Sequence, residues 1–413
     1  MKTTERIPVI IDTDPGIDDA LALLLALSSP VLEIKAITTV FGNTSVELTS
    51  RNALTVFHIL EAEVNHIKNA RPPEGDDKNW GNEMDTMTTV ITKAKPIVAI
   101  GADKPLEAKR SHGTYYHGKD GFGEIHTTHP FYTPSNWESI LKGETSSHLC
   151  TISSRSAADE ILYQLQTAPP LTVTIVALGP LTNLGLAYKK DPETFSRVDK
   201  IILLGGAVHS QGNTTPVAEF NFFADPHAAN VIVGATKGYD PNESIEHRRK
   251  ELEDGNAIPL HVIMIPIEVS SKILLPKSYV TDYVTRKPSP LSLFVSTFLE
   301  HAYVNTASGA IQLHDPAVVA MLIDIIMGRS HWKTEFTDVR VEPEGYYTRG
   351  MCVVDRRPET RFADMELFRQ TAAFGVWSKQ FANNVELCVG CEPGKVLKDF
   401  CKGVFDVDIE DSQ

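Results

Sequence analysis

The chain has little of what several large protein classes require. Cysteine is scarce: the five residues Cys150, Cys352, Cys388, Cys391 and Cys401 are too few and too unevenly placed for a disulfide framework, which points to a reducing compartment. Long hydrophobic runs are missing. No stretch approaches the roughly 18 apolar residues of a membrane span, and the opening MKTTERIPVIID enters a strand-like run without an apolar segment of signal-peptide type. A cytoplasmic protein is the expectation, with no membrane partner. Positive charge is in deficit, since 39 Lys and Arg face 53 Asp and Glu for a formal net charge of −14. Nucleic-acid binding needs a basic footprint, so the balance argues against it and suits a neutral or cationic small molecule. What remains is ordinary for a globular protein. Of 413 residues, 42% are apolar and 22% charged, enough for a sizeable core.

Strand-like and helix-like segments alternate. Residues 8–12 (PVIID) form a short apolar run, and 18–28 (DDALALLLALS) read as a helix with aspartates in its first turn, where the helix dipole favours negative charge. Residues 33–40 are β-rich, and a second helical pattern runs from 46 to about 61. Further strands are expected at 171–177, 200–204, 261–266 and 351–354, and further helices at 181–188 and 291–303. This alternation predicts an α/β fold with an open, mostly parallel central sheet and helices on both faces. In such sheets ligands bind outside the carboxyl ends of the strands. Polar, turn-rich stretches near 70–95, 129–154, 237–256 and 357–381 interrupt the rhythm and read as surface insertions. None has the character of a linker, so residues 1–413 are expected to form one domain.

The strongest chemical signal is DTDPGIDDA, in which Asp12, Asp14, Asp18 and Asp19 crowd around the Pro15-Gly16 turn. The turn allows Asp14 and the Asp18–Asp19 pair to converge. Four carboxylates so close repel one another, and the half charge of a helix N-terminus cannot offset them. Capping accounts for one aspartate, or two. A divalent cation balances the rest, and oxygen ligands without neighbouring His or Cys favour hard ions, calcium or magnesium, over zinc. DTD also occurs as the nucleophile pair of aspartate-based phosphatases. Pro15 and Gly16 fit that chemistry poorly, and no convincing downstream lysine motif accompanies them.

Other polar segments punctuated by glycine or proline follow in series: TTVFGN ending at Asn43, HGKDGFGE from His117, LGPLTN from Leu178, GN at Gly212-Asn213, AEFNFFADPHAA with Glu219 and Asn221, and HDPAVV from His314. Singly each is weak. In this order they resemble the inosine–uridine preferring nucleoside hydrolase family, from Ile10 to about Val404. The resemblance implies a nucleoside hydrolase fold, one Ca2+ at the strand ends, a small nucleoside substrate, and a homodimer or homotetramer. It implies that Asp14, Asp19, Asp315 and the main-chain carbonyl of Leu178 ligate the ion, and that Asp14 is the general base for the attacking water. Asp18, Asn43, Asn213, Glu219 and Asn221 would hold the ribose hydroxyls. His117 would lie near the base pocket, and His314 would assist the departing base.

The chemistry supports these assignments. N-ribosyl cleavage passes through an oxocarbenium-like state that nearby anions stabilise. Calcium accepts six to eight oxygens, which leaves room for a ribose diol and a water beside the protein ligands. His117 and the following glycines predict a flap that closes over the site. A catalytically silent nucleoside-binding protein of the same fold is the alternative, but Asp14 and His314 are both present. One departure stands out: the family often carries a Thr-His pair after the strand at 261–266, where this chain has Glu268-Val269-Ser270-Ser271. The CxxC of Cys388 and Cys391 lacks an obvious fourth ligand for zinc and reads as packing.

Overall fold

The structure is a computed structural model and describes residues 6–70, 95–147, 150–286, 288–304, 306, 308–356 and 382–409. The insertions expected near 70–95 and at 357–381 therefore lie almost wholly outside the described residues.

Seven strands are laid down in the first two thirds of the chain: β1 (Ile7–Thr13), β2 (Leu32–Thr39), β3 (Ile97–Ile100), β4 (Thr151–Ile152), β5 (Thr174–Ala177), β6 (Lys200–Leu204) and β7 (Val262–Ile265). Then come β8 (Leu274–Pro276) and β9 (Ala310–Gln312), which pair only with each other, β10 (Trp332–Thr337), the hairpin β11 (Arg340–Val341) and β12 (Cys352–Val353), and β13 (Val385–Cys391). The central sheet has nine strands in the order β10-β13-β7-β6-β5-β1-β2-β3-β4. All neighbours pair in parallel except β10 on β13.

Alternation along β1 explains the layers. Val9 and Ile11 join one apolar cluster and Ile10 joins the other, so the strand is buried on both faces, as its continuous apolar run requires. The first face is covered by the helices Ile17–Ser28, Val46–Ala70, Pro290–Val304, His314–Met327 and Pro393–Phe405. The second is covered by Ala157–Thr167, Thr182–Lys190 and Pro226–Gly234. The Ile17–Ser28 helix is buried along its whole length, consistent with its nearly unbroken apolar sequence.

Strand order reverses at β1. Strands β2 to β4 lie on one side of it and β5, β6, β7 and β13 on the other. The carboxyl end of β1, which carries Asp12 and Asp14, thus opens at the topological switch point where such sheets bind ligands.

The fold departs from the sequence expectation in several places. Residues 351–354 do not enter the main sheet: β12 pairs only with β11, because its two residues form the return of a short hairpin. Strands β3 and β10 were not expected, since Ile97–Ile100 is only four residues long and Trp332–Thr337 alternates exposed polar positions at the sheet edge. The stretch at 129–154 is partly structural, with a short helix Trp137–Leu141 and the edge strand β4 at its end. The stretch at 237–256 agrees with its sequence, whose charged middle reads as helical, and carries the polar surface helix Ile245–Glu253.

Candidate active site

The site grows from the end of β1. The Asp14 carboxylate sits between two glycines: a Cβ at Gly42 would lie 2.0 Å from its Oδ2, and one at Gly179 would lie 2.3 Å from its Oδ1. The Asn43 N–H donates to Asp14 Oδ2 (2.7 Å) and the Asn43 amide donates to the Asp14 carbonyl (3.0 Å). Pro15 and Gly16 turn the chain into the Ile17–Ser28 helix. Asp19, in its first turn, closes the turn by accepting from Gly16 N–H (3.0 Å), Asp14 N–H (3.2 Å), Thr13 Oγ1 (2.5 Å) and the Asn43 amide (2.8 Å). Asp315 enters from the opposite side, in the first turn of the His314–Met327 helix.

Carboxylate oxygens of Asp18, Asp19 and Asp315 lie within 4.8 Å of one another, and all four aspartates, Asp14 included, are buried. Burial, then the Asp19 and Asp18 charges, push the Asp14 carboxyl well above its usual range. Asp315 is raised by burial and by Asp18, Asp19 and Asp14, and Asp18 by burial and Asp19. Such a cluster ionises together only around a compensating positive charge. The donors are all oxygen, so the group fits a hard divalent cation. A second acidic cluster of Asp324, His331 and Asp399 differs in kind. Arg329 reaches both aspartates (3.4 and 2.7 Å) and the Trp332 indole donates to Asp324 (2.8 Å), so its charge is already met.

A cavity of about 210 Å³ opens above the cluster and is lined by Asp14, Asp18, Asn43, His117, Leu178, Asn213, Glu219, Asn221, His314 and Asp315. Every residue expected in the site from the sequence is therefore brought to one place, with Asp19 just beneath it. Glu219 caps a five-residue helix, accepting from Asn221 N–H (2.8 Å), Phe222 N–H (3.1 Å) and Gly206 N–H (2.9 Å). The Asn221 amide donates to the Leu178 carbonyl (2.7 Å). That carbonyl has a second lone pair, so the contact leaves it able to face an ion. Asn213 is exposed at the mouth, where its Oδ1 accepts from Phe220 N–H (2.9 Å).

His117 accepts the Ile17 N–H at its Nδ1 (3.1 Å), which leaves Nε2 to carry the proton of a neutral ring. Burial holds its pKa down at about 3. The segment after it, where the sequence predicts a flap, is held in this structure by several hydrogen bonds. Asp120 accepts from the N–H groups of Phe122, Glu124 and His126, and the buried Phe122 packs on Phe294 and Phe298. Asn52 ties the Asp120 carbonyl (2.9 Å) to the Pro15 carbonyl (2.8 Å). The glycines serve this turn: Gly118, Gly121 and Gly123 all adopt positive φ.

His314 stands at the start of its helix, half-buried, with burial holding its pKa down at about 4. Tyr115, Tyr116, Ile267 and Gln312 also line the cavity and were not singled out from the sequence. Gln312 was legible in principle, since it lies two residues before His314 at the end of β9.

The profile of the family described as inosine-uridine preferring nucleoside hydrolase matches residues 9–398. The chain belongs to that family. As a nucleoside hydrolase, it is 30% identical over 351 residues to an inosine-uridine preferring nucleoside hydrolase of Leishmania major, covering 84% of this chain and 88% of that protein. It is also 30% identical over 389 residues to the pyrimidine-specific ribonucleoside hydrolase RihA of Klebsiella pneumoniae (strain 342), covering 89% and 99%. A plant nucleoside hydrolase of solved structure shares the fold, with a TM-score of 0.69 and 24% identity over 97% of this chain and 99% of that one. In this nucleoside hydrolase Glu268 holds the turn after β6, accepting from His209 N–H (2.7 Å), Val208 N–H (3.2 Å) and Ser210 Oγ (3.2 Å).

Proposed function

We propose that this nucleoside hydrolase cuts the N-glycosidic bond of ribonucleosides, giving ribose and a free base, with calcium as the ion of the carboxylate cluster. One observation carries the reading: Asp14, Asp18 and Asp315 line the same cavity as His314, so an electrostatic trap for a cation and a donor for a leaving base share one space. Asp14, Asp19, Asp315 and the Leu178 carbonyl would hold the ion. When bound, the ion supplies positive charge that acidifies a water molecule and anchors hydroxyl oxygens.

Asp14 takes a proton from the water whose oxygen attacks C1′, a role open to its carboxylate once the charge of the cluster is balanced and the group is ionised. The C1′–N bond breaks and its electron pair leaves with the base. His314 Nε2–H meets that pair with a hydrogen bond, the departing base takes a proton from solvent water, and the proton held by Asp14 returns to solvent. Asp18, Asn43, Glu219 and Asn221 orient the ribose hydroxyls, with Asn213 at the mouth. The buried carboxylates stabilise the positive charge that develops on the ribose ring. His117, neutral, presents Nε2–H toward the base side.

The match over residues 9–398 together with one continuous nine-stranded sheet supports a single domain. The five free cysteines support a cytoplasmic location. Light scattering tests the homodimer or homotetramer that the family resemblance implies.

A chromatographic screen of ribonucleosides, 2′-deoxyribonucleosides and 5′-nucleotides for released base tests the activity. The expected result is hydrolysis of ribonucleosides only, with the 2′-deoxy compounds slower by on the order of 10⁴-fold because buried polar groups lose a partner. Binding without turnover would return the alternative of a silent nucleoside-binding protein.

A further inference from the structure

The hydrogen bonds around His314 assign two more residues to the reaction. Ser270 ends the short helix Ile267–Ser270 that follows β7, is fully buried, and places its Oγ 2.9 Å from His314 Nδ1. Among the described residues the other acceptor in reach is the Ile267 carbonyl at 3.4 Å, a weaker contact. On the opposite edge of the ring, Gln312 Oε1 lies 3.0 Å from His314 Nε2. The two partners differ in setting: Ser270 is inaccessible, whereas Gln312 is exposed and lines the cavity.

Building on the proposed nucleosidase reaction, we infer that Ser270 and Gln312 are positioning residues for His314, which keep its Nε2–H aimed into the base side of the cavity. In the neutral ring, the Ser270 hydroxyl donates to Nδ1, so the proton resides on Nε2. In the cationic ring, Nδ1–H donates to Ser270 Oγ and Nε2–H still faces Gln312 Oε1. Either way Nε2 is the donor. Gln312 receives that N–H in the free enzyme and yields it when a base heteroatom arrives. Its side chain can leave because it is exposed and carried on the short edge of β9 rather than packed in the core. The division of labour follows from burial. Ser270 sets the direction of the ring in every state, and Gln312 keeps the donor satisfied only until substrate replaces it.

The test combines nitrogen-15 NMR of histidine-labelled enzyme with kinetics. His314→Asn identifies the ring signals. In wild type, Nε2 is expected to be the protonated nitrogen of the neutral His314 ring, and Ser270→Ala is expected to give a mixture of both tautomers. A wild-type ring protonated at Nδ1 alone overturns the inference, whatever the enzyme turns over. In kinetics, Ser270→Ala is expected to lower kcat on inosine by about 10²-fold with little change in KM, the order of loss seen when a reacting group is misplaced by about 1 Å. It should spare p-nitrophenyl riboside, whose leaving group departs as a stable anion, and Ser270→Thr should restore inosine turnover. Gln312→Ala should change KM more than kcat, because Gln312 competes with the base for one donor. Equal losses on both substrates in a folded Ser270→Ala variant contradict the inference. Failure of wild type to release any base contradicts the nucleosidase reading instead, and the NMR result still decides the role of Ser270.

Discussion

Replacing Gly42 by alanine would displace the proposed general base without touching it chemically. The new Cβ would stand 2.0 Å from Asp14 Oδ2, 2.8 Å from its Cγ and 3.0 Å from Pro180 Cδ. Ordinary contact for such atoms is about 3.5 Å, so the carboxylate has to move by roughly 1.5 Å or the β2 end of the chain has to yield. On the other side Asp14 is bordered by Gly179, where an added Cβ would stand 2.3 Å from its Oδ1. Moving Asp14 also loses the 2.7 Å bond from Asn43 N–H. A misplacement of about 1 Å costs on the order of 10²-fold in rate, which is about 2.7 kcal/mol of transition-state stabilisation. We therefore expect Gly42→Ala to lower kcat/KM for inosine or uridine at least about 100-fold, and to weaken calcium binding measured by calorimetry. Gly394→Ala, in a helix with no atom within 4 Å of the added methyl, is the control and should be silent. Circular dichroism establishes that both variants fold. A folded Gly42→Ala enzyme within about threefold of wild type would refute the packing argument that Asp14 is fixed by these glycines.

Asp14→Asn should lower turnover by about 10²–10⁴-fold whichever base leaves, because it removes the proton acceptor common to all substrates; steady-state rates on inosine, uridine and p-nitrophenyl riboside check this, and a loss confined to one of them would contradict it. Phe122→Ala should cost about 3–5 kcal/mol in urea denaturation, since the buried ring packs on Phe294 and Phe298. It should also raise KM through loosening of His117, and unchanged stability would show that the 117–126 turn is not anchored by this side chain. Asp12 offers a pH test: burial raises its pKa from 3.8 to about 7 and leaves Oδ2 without a partner, while Thr38 and the Asn183 amide donate to Oδ1. A carboxyl whose pKa is raised on folding holds its proton in the native state, so its contribution to stability falls as pH rises from about 4 to about 7. Asp12→Asn should remove that slope, and denaturation curves at pH 5 and pH 8 that respond identically in variant and wild type would argue against it.

Much of the site was legible because its chemistry is local in sequence. DTDPGIDDA places four carboxylates around one turn, and no packing argument is needed to see that they conflict. The strands with continuous apolar runs, such as β1 and β6, were equally visible. What the sequence concealed depends on long-range contact. Strand β3 is four residues long and becomes a strand by pairing with β2 on one side and β4 on the other. Edge strand β10 presents exposed residues at alternate positions and lacks an apolar signature. The glycine-rich stretch after His117 suggested mobility, since glycine is permissive. Its anchoring by Asp120 and Phe122 appears only when the Pro290–Val304 helix is in place. The roles of Ser270 and Gln312 likewise need the third dimension: 44 residues separate Ser270 from the ring it touches.

The buried aspartates at the end of β1 are expected to work only around a divalent cation. The direct measurement is base release from inosine and uridine by enzyme stripped with a strong chelator, assayed before and after calcium is added back. Negligible release from the stripped enzyme and full recovery with calcium are expected, because Asp14, Asp18 and Asp315 cannot otherwise ionise together. Undiminished turnover in protein shown by elemental analysis to be free of metal would contradict it.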